Sequence, residues 1–119
     1  MLEIYDSNFI IETEKFIKAL KISEILFFKA EGCYTEINLL SKEKIIIAKT
    51  LKTIQFLFKD KHFFRCHKSY LINMLYFKEL KKSLKVKFII LTDEIKIPIS
   101  QRKIKDFKEY LLEYINSLT

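Results

Sequence analysis

Glycine and proline are nearly missing: each occurs once in 119 residues. Tight turns must therefore be made by Asn, Asp, Ser, Thr and Lys, which implies polar, adaptable loops. No apolar run approaches the roughly 20 residues that a bilayer span requires. The start, MLEIYDSNFIIETEK, lacks the basic opening and long apolar centre of a signal peptide. These absences predict a domain working in the cytoplasm, with no membrane partner. There are two cysteines, Cys33 and Cys66, too few for a disulfide framework. In a reducing compartment they are expected as free thiols. A phosphate-binding glycine loop is missing, which removes the common nucleotide-hydrolysis reading. His62 and His67 have no matched Ser or Asp motif, so a nucleophilic triad is unsupported. His62, Cys66, His67 and distant Cys33 show none of the familiar zinc spacings. The sequence thus predicts no enzyme, no metal and no cofactor.

What is present is hydrophobic and basic. Half of the residues are hydrophobic, and 11 Phe and 6 Tyr argue for a packed globule rather than disorder. The length fits a single domain over 1–119. The net charge is +7 and unevenly placed. Residues 1–58 carry eight basic and eight acidic side chains. Residues 59–105 carry thirteen basic and four acidic ones, and residues 106–119 sum to −2. Such asymmetry suggests an anionic partner, nucleic acid first and a membrane surface second. The plain alternative is a Lys-rich proteome in which every protein is basic.

Periodicity gives a mainly β chain. NFIIETEKFIKAL reads as a hairpin, and SEILFFKAEG as a buried strand ending in a Gly32 turn. CYTEINLL alternates and pairs with KEKIIIAK in a second hairpin. Leu51, Ile54, Leu57 and Phe58 then fall at helical spacing behind Thr50, a suitable N-cap, giving one short helix at about 50–59. A strand at Phe63–Cys66 leads through a basic corner to another strand that runs through Leu71 and Ile72 and beyond. KVKFIILT and EIKIPIS form an antiparallel hairpin, with Val86, Phe88 and Ile90 on one face of its first strand. Pro98 must turn its amide side to an edge or a loop. A C-terminal helix at about 101–117 carries the stripe Ile104, Phe107, Leu111, Tyr114, Ile115 and Leu118.

Three constellations bear on function. Arg65-Cys66-His67-Lys68-Ser69-Tyr70 crowds cations at the end of a strand. Lys68 there either reaches a phosphate or guanine edge or belongs to a merely solvated corner. Arg65 either projects outward or packs its stem on the sheet and bonds backbone carbonyls. In Ser100-Gln101-Arg102-Lys103-Ile104-Lys105, Ser100 as N-cap precedes three cations at the start of a helix, where they oppose the macrodipole. Free N–H groups beside them make a site for phosphate; alternatively the long side chains simply extend into water. In Glu31-Gly32-Cys33-Tyr34, the phenol either meets a base edge or phosphate, or is a half-buried strand residue.

Taken in order, ILFFKAEGCYTEINL, TLKTIQFLF, FFRCHKSYLIN and IKIPISQRKIKDF resemble the LytTR DNA-binding domain over about residues 22–112. The family shows a Gly-x-Tyr loop, then Phe-x-Arg-x-His-Arg-Ser-Tyr-x-x-Asn, and a closing Ile-Pro-x-Ser-x-Arg. The resemblance implies an elongated β-β-β arrangement of small antiparallel sheets whose loops, not a recognition helix, enter the major groove. It implies double-stranded DNA as partner, at direct-repeat sites bound by two copies, in bacterial transcription regulation. It assigns base contacts to Arg102, Lys68 and Tyr34, and phosphate contacts to Ser69, Gln101, Lys103 and Lys105. Members usually follow a phosphoacceptor receiver domain or a membrane segment, which implies a response regulator of a two-component system. Two other readings remain. One is a non-specific or single-stranded nucleic-acid or anion-binding β module. The other is an interaction or sensory module with Cys33 or Cys66 as a redox switch.

Overall fold

A computed structural model of the chain describes residues 1–119. Eleven strands form three antiparallel sheets, and two α-helices complete the architecture. The principal extents, 46 × 35 × 25 Å, make it elongated. The first sheet holds β1 (Leu2–Tyr5), β2 (Asn8–Glu12) and β3 (Ile17–Lys21). The central sheet is built from β4 (Ile25–Glu31), β5 (Tyr34–Leu39), β6 (Lys44–Ile47), β7 (Phe63–His67) and β8 (Tyr70–Asn73), in the order β6-β5-β4-β8-β7. The third sheet is β11-β10-β9, with β9 at Phe77–Lys82, β10 at Lys87–Leu91 and β11 at Lys96–Pro98. Helix α1 (Leu51–Leu57) follows β6, and α2 (Ile104–Ser117) closes the chain.

Two cores lie on the central sheet, and the strand period divides its side chains between them. Phe28 and Leu71 join a cluster of 15 buried residues with the first sheet and with Leu51, Ile54 and Phe58. Their chain neighbours Phe27 and Ile72 belong to a second cluster, of eight buried residues with half-buried partners, shared with the third sheet and Phe107 of α2. In the first, the rings of Phe9, Phe28, Phe58 and Phe63 pack mainly edge to face, with centroids 4.9–6.3 Å apart.

Local chemistry explains most boundaries. Thr50 caps α1, its hydroxyl accepting from the Thr53 N–H at 3.3 Å. Pro98 sits on β11, an edge strand, as its missing donor requires. Other expectations are corrected. Leu2–Tyr5, not anticipated, pairs with β2. The strand through Ile72 stops at Asn73. There a buried amide donates to the Ile25 carbonyl at 2.8 Å and accepts from Leu75 N–H at 3.0 Å, turning the chain into a 3-10 turn and on to β9 in another sheet. On β10 Ile89 and Leu91 enter the core under α2; of the expected face Ile90 is buried while Val86 is exposed. The C-terminal helix proper starts at Ile104, after a 3-10 turn at Gln101–Lys103. Its packed stripe includes Tyr110 and leaves Ile115 and Leu118 exposed. Tyr110 also donates to the Phe63 carbonyl at 3.3 Å, tying α2 to β7. No helix is long and apolar enough to cross a membrane.

Candidate nucleic-acid interface

The antiparallel order of the central sheet sets several chain reversals at one end. Tyr34 opens β5 where β4 ends, and the two close their hairpin at Glu31 and Tyr34. On the other side of β4, β8 opens at Tyr70, opposite Lys29, and β7 ends at His67, opposite Tyr70. With strands about 4.8 Å apart, Glu36, Lys29, Tyr70 and His67 form a row along the rim at this end, and the Glu31–Tyr34 hairpin extends two residues beyond it.

The first reversal uses the only glycine. Gly32 has φ +61°, and a Cβ there would meet no atom within 4 Å, so conformation and not space is what it supplies. Cys33 is exposed, and Tyr34 is 52% exposed, more than a half-buried strand residue would be. Lys29 pairs with Glu31 at 3.1 Å, which raises the Lys29 pKa.

The second reversal is held from inside by Arg65. A register shift between Phe64 and His67 bulges β7 and turns the guanidinium inward. Its Nε donates to the His67 carbonyl at 3.0 Å, Nη1 to Gln55 Oε1 of α1 at 2.8 Å, and Nη2 to the Lys68 carbonyl. Of the two readings of Arg65, the carbonyl-bonding one is correct. His67 Nδ1 accepts the Ser69 N–H at 3.1 Å, which requires a neutral ring protonated at Nε2. Burial, reinforced by the charges of Lys68 and Arg65, lowers the His67 pKa in the same sense. Ser69 returns its carbonyl to the Ala30 N–H at 2.8 Å, locking the corner to the neighbouring strand. Lys68, between these fixed groups, is exposed and has no carboxylate partner.

The third element is the turn before α2. Ser100 N–H donates to the Cys66 carbonyl at 3.0 Å, and Cys66 Sγ contacts the Pro98 carbonyl at 3.5 Å. These bonds hook the turn onto β7 one residue from its rim end. Lys103 N–H then bonds the Ser100 carbonyl at 2.8 Å, closing the 3-10 turn. Gln101, Arg102 and Lys105 are exposed and Lys103 half-buried. The expected side-chain cap from Ser100 is not made; its hydroxyl bonds no helix N–H, and α2 begins with no side-chain cap at all. Arg102, Lys103 and Lys105 lack carboxylate partners, and the first turn of α2 holds one acid, Asp106.

Tyr34, Lys68 and Arg102 are therefore delivered to the same end of the molecule by three segments far apart in sequence. Two cations at this end escaped sequence reasoning. Thr35 Oγ1 donates to the Lys49 carbonyl at 2.7 Å, which draws the end of β6 to the rim and leaves Lys49 and Lys52 exposed beside it. Only the β5–β6 register reveals this, since neither lysine stands in a basic run. No three His, Cys, Asp or Glu side chains converge. Cys66 is fully buried, and burial pushes its thiol up to about 12, so it remains protonated near neutrality.

A family model described as the LytTr DNA-binding domain matches residues 15–112. The chain belongs to the LytTR family. That membership makes it a DNA-binding module of transcription regulation. The match takes in all three loops and reaches further towards the N-terminus than the sequence motifs did. Among solved structures, this LytTR domain is similar to the LytTr DNA-binding domain of a protein described as a methyl-accepting/DNA response regulator from Bacillus cereus. The TM-score is 0.75 over 90% of this chain and 98% of that one, at 18% identity, a likeness of fold. No curated protein sequence matches the chain.

Proposed function

We propose that this LytTR domain, acting as one unit over 1–119, binds double-stranded DNA sequence-specifically as a bacterial transcription regulator. The observation that carries the reading is the rim itself: three loops at one sheet end, each offering exposed polar or cationic side chains without internal partners. Arg102 is the principal base reader, because a guanidinium bonds a guanine edge bidentately. Lys68 and Tyr34 make further base contacts; Lys68, a point donor rather than a fork, discriminates less. Ser69, Gln101, Lys103 and Lys105 hold phosphates, with the uncapped start of α2 adding backbone N–H groups. Two copies occupy a direct repeat, and a receiver domain in a response regulator is the partner that would control them. The work is binding, not catalysis, and takes place in the cytoplasm.

The single-strand alternative needs rings on which bases stack. Within the three loops Tyr34 is the sole exposed aromatic residue, which favours the duplex. Selection of bound duplexes from a random pool tests the reading. A motif repeated at one-turn spacing is expected; enrichment of no motif would overturn it. Arg102→Ala should cost about 1–3 kcal/mol on the selected site and relax one position. Wild-type affinities of that variant for selected and scrambled duplexes would remove Arg102 from the readout.

A further inference from the structure

The β9–β10 hairpin bears cations that none of the three loops accounts for. From Leu80 to Thr92 the sequence has Lys81, Lys82, Lys85 and Lys87 and no acid. None of the four is in a salt bridge. The last ladder pair is Lys82 opposite Lys87, two like charges facing each other. Directly opposed like charges destabilise a sheet, so the pairing has no rationale in folding. The turn beyond is built firmly: Ser83 N–H donates to the Val86 carbonyl at 3.0 Å, and Ser83 Oγ accepts from Val86 N–H at 3.1 Å. At its apex Leu84 is fully exposed.

Register fixes where this tip points. Phe88 lies opposite Pro98, so Lys87 is level with Ile99, and the tip extends in the direction in which β11 runs into Ser100–Lys103. Lys82 and Lys87 share the face of Leu80 and Ile89. Lys82 flanks the same surface groove as Leu80, Ile104 and Lys108. Lys82 thus stands at the first turn of α2, and Lys87, on the same face, is level with the residue that precedes the Ser100–Lys103 turn. In the turn at the other end of this sheet, Glu94 is held by Lys78 at 2.9 Å, which keeps its carboxyl below the usual range.

We infer that the tip of the β9–β10 hairpin is a fourth DNA contact, in which Lys82 and Lys87 together clamp backbone phosphates next to those held by the α2 turn. The inference rests on the duplex-binding reading and deepens it. An intervening phosphate removes the repulsion between the two ammonium groups, and the contact carries no sequence information. It lengthens the footprint on the side of Arg102.

The test compares wild type, K82Q/K87Q and a control of equal charge loss, K15Q/K59Q, whose lysines belong neither to the three loops nor to the hairpin. Affinity for the selected duplex and a scrambled one is measured across a salt series. K82Q/K87Q should weaken both duplexes alike, shallow the plot of log affinity against log salt by about two units, and melt no lower than wild type. K15Q/K59Q should keep the wild-type slope. A wild-type slope for K82Q/K87Q, with specific binding intact in the wild type, would overturn the hairpin contact alone. An equal loss in the control would reduce it to bulk charge. Absence of salt-dependent duplex binding by the wild type would overturn both readings. Sedimentation with vesicles of phosphatidylserine and phosphatidylcholine forms a last arm. If K82Q/K87Q lost vesicle binding but kept the wild-type DNA slope, the hairpin would be a lipid contact instead.

Discussion

The two faces of the central sheet divide the labour of the molecule. One face carries 15 buried residues, four interlocked phenylalanine rings and a chain segment whose charges cancel. The other carries eight fully buried residues, eked out by half-buried aromatics of α2, and the segment with thirteen cations. The larger apolar area sits on the neutral side, so hydrophobic stabilisation is concentrated there. The basic side can then tolerate opposed lysines and an uncapped helix start, features that cost stability and attract anions. Most of the apolar stabilisation thus lies on one face and most of the cations on the other, with Tyr34, Lys49 and Lys52 of the neutral segment meeting the basic loops at the rim.

The sharpest way to break this contrast is to empty each core in turn. Phe58→Ala, at the centre of the ring cluster, should cost about 3–5 kcal/mol in urea unfolding. Phe107→Ala should cost less, because its neighbours Phe64 and Phe77 are only half-buried and can close the gap. A larger loss for Phe107→Ala would reverse the assignment of the two faces. Arg65→Ala tests the junction between stability and recognition. Two carbonyls and the Gln55 amide lose their donors, at about 1–3 kcal/mol of stability, and the specific duplex should bind more weakly because Lys68 is no longer held in place. Thr50→Ala should remove about 1 kcal/mol through loss of the cap alone, with the affinity of the folded protein for DNA unchanged.

The smallest effect is a pH dependence. His67 has a pKa lowered in the folded state, so the unfolded chain binds the proton more readily. Its contribution is complete above the ordinary histidine value of about 6.5 and is lost as pH falls through the lowered folded value. The urea midpoint should therefore decline more on acidification in the wild type than in His67→Asn. Equal declines would show that the imidazole does not titrate against the Ser69 N–H.

Much of this was legible in the residues. Alternation in CYTEINLL and EIKIPIS set Ile37 on one face of its strand and Ile97 with Ile99 on one face of theirs, and these are buried faces, because alternation encodes facing directly. Thr50 announced α1 for an equally local reason. The strand break at Asn73 was not legible, because a buried asparagine looks polar until the Ile25 carbonyl that satisfies it is known. Strand β9 consequently stayed hidden inside one long expected strand, although the β10–β11 hairpin it completes was read from the sequence. On β10 both faces read as apolar, and only packing under α2 selects Ile89 and Leu91 over Val86 and Phe88. The loops at Tyr34, Lys68 and Arg102 were visible as unusual local chemistry. Their convergence depended on non-local bonds, Ala30 to Ser69 and Ser100 to Cys66, that no local pattern announces.

Arg65 deserves to be counted differently from its neighbours. Carbonyls and an amide already occupy its fork, so it offers an incoming strand almost nothing, although any tally of basic letters includes it. Ion release on complex formation should accordingly fall short of what the raw tally promises, and substituting this arginine should disturb which sequences are preferred far more than how steeply added salt dissolves the complex.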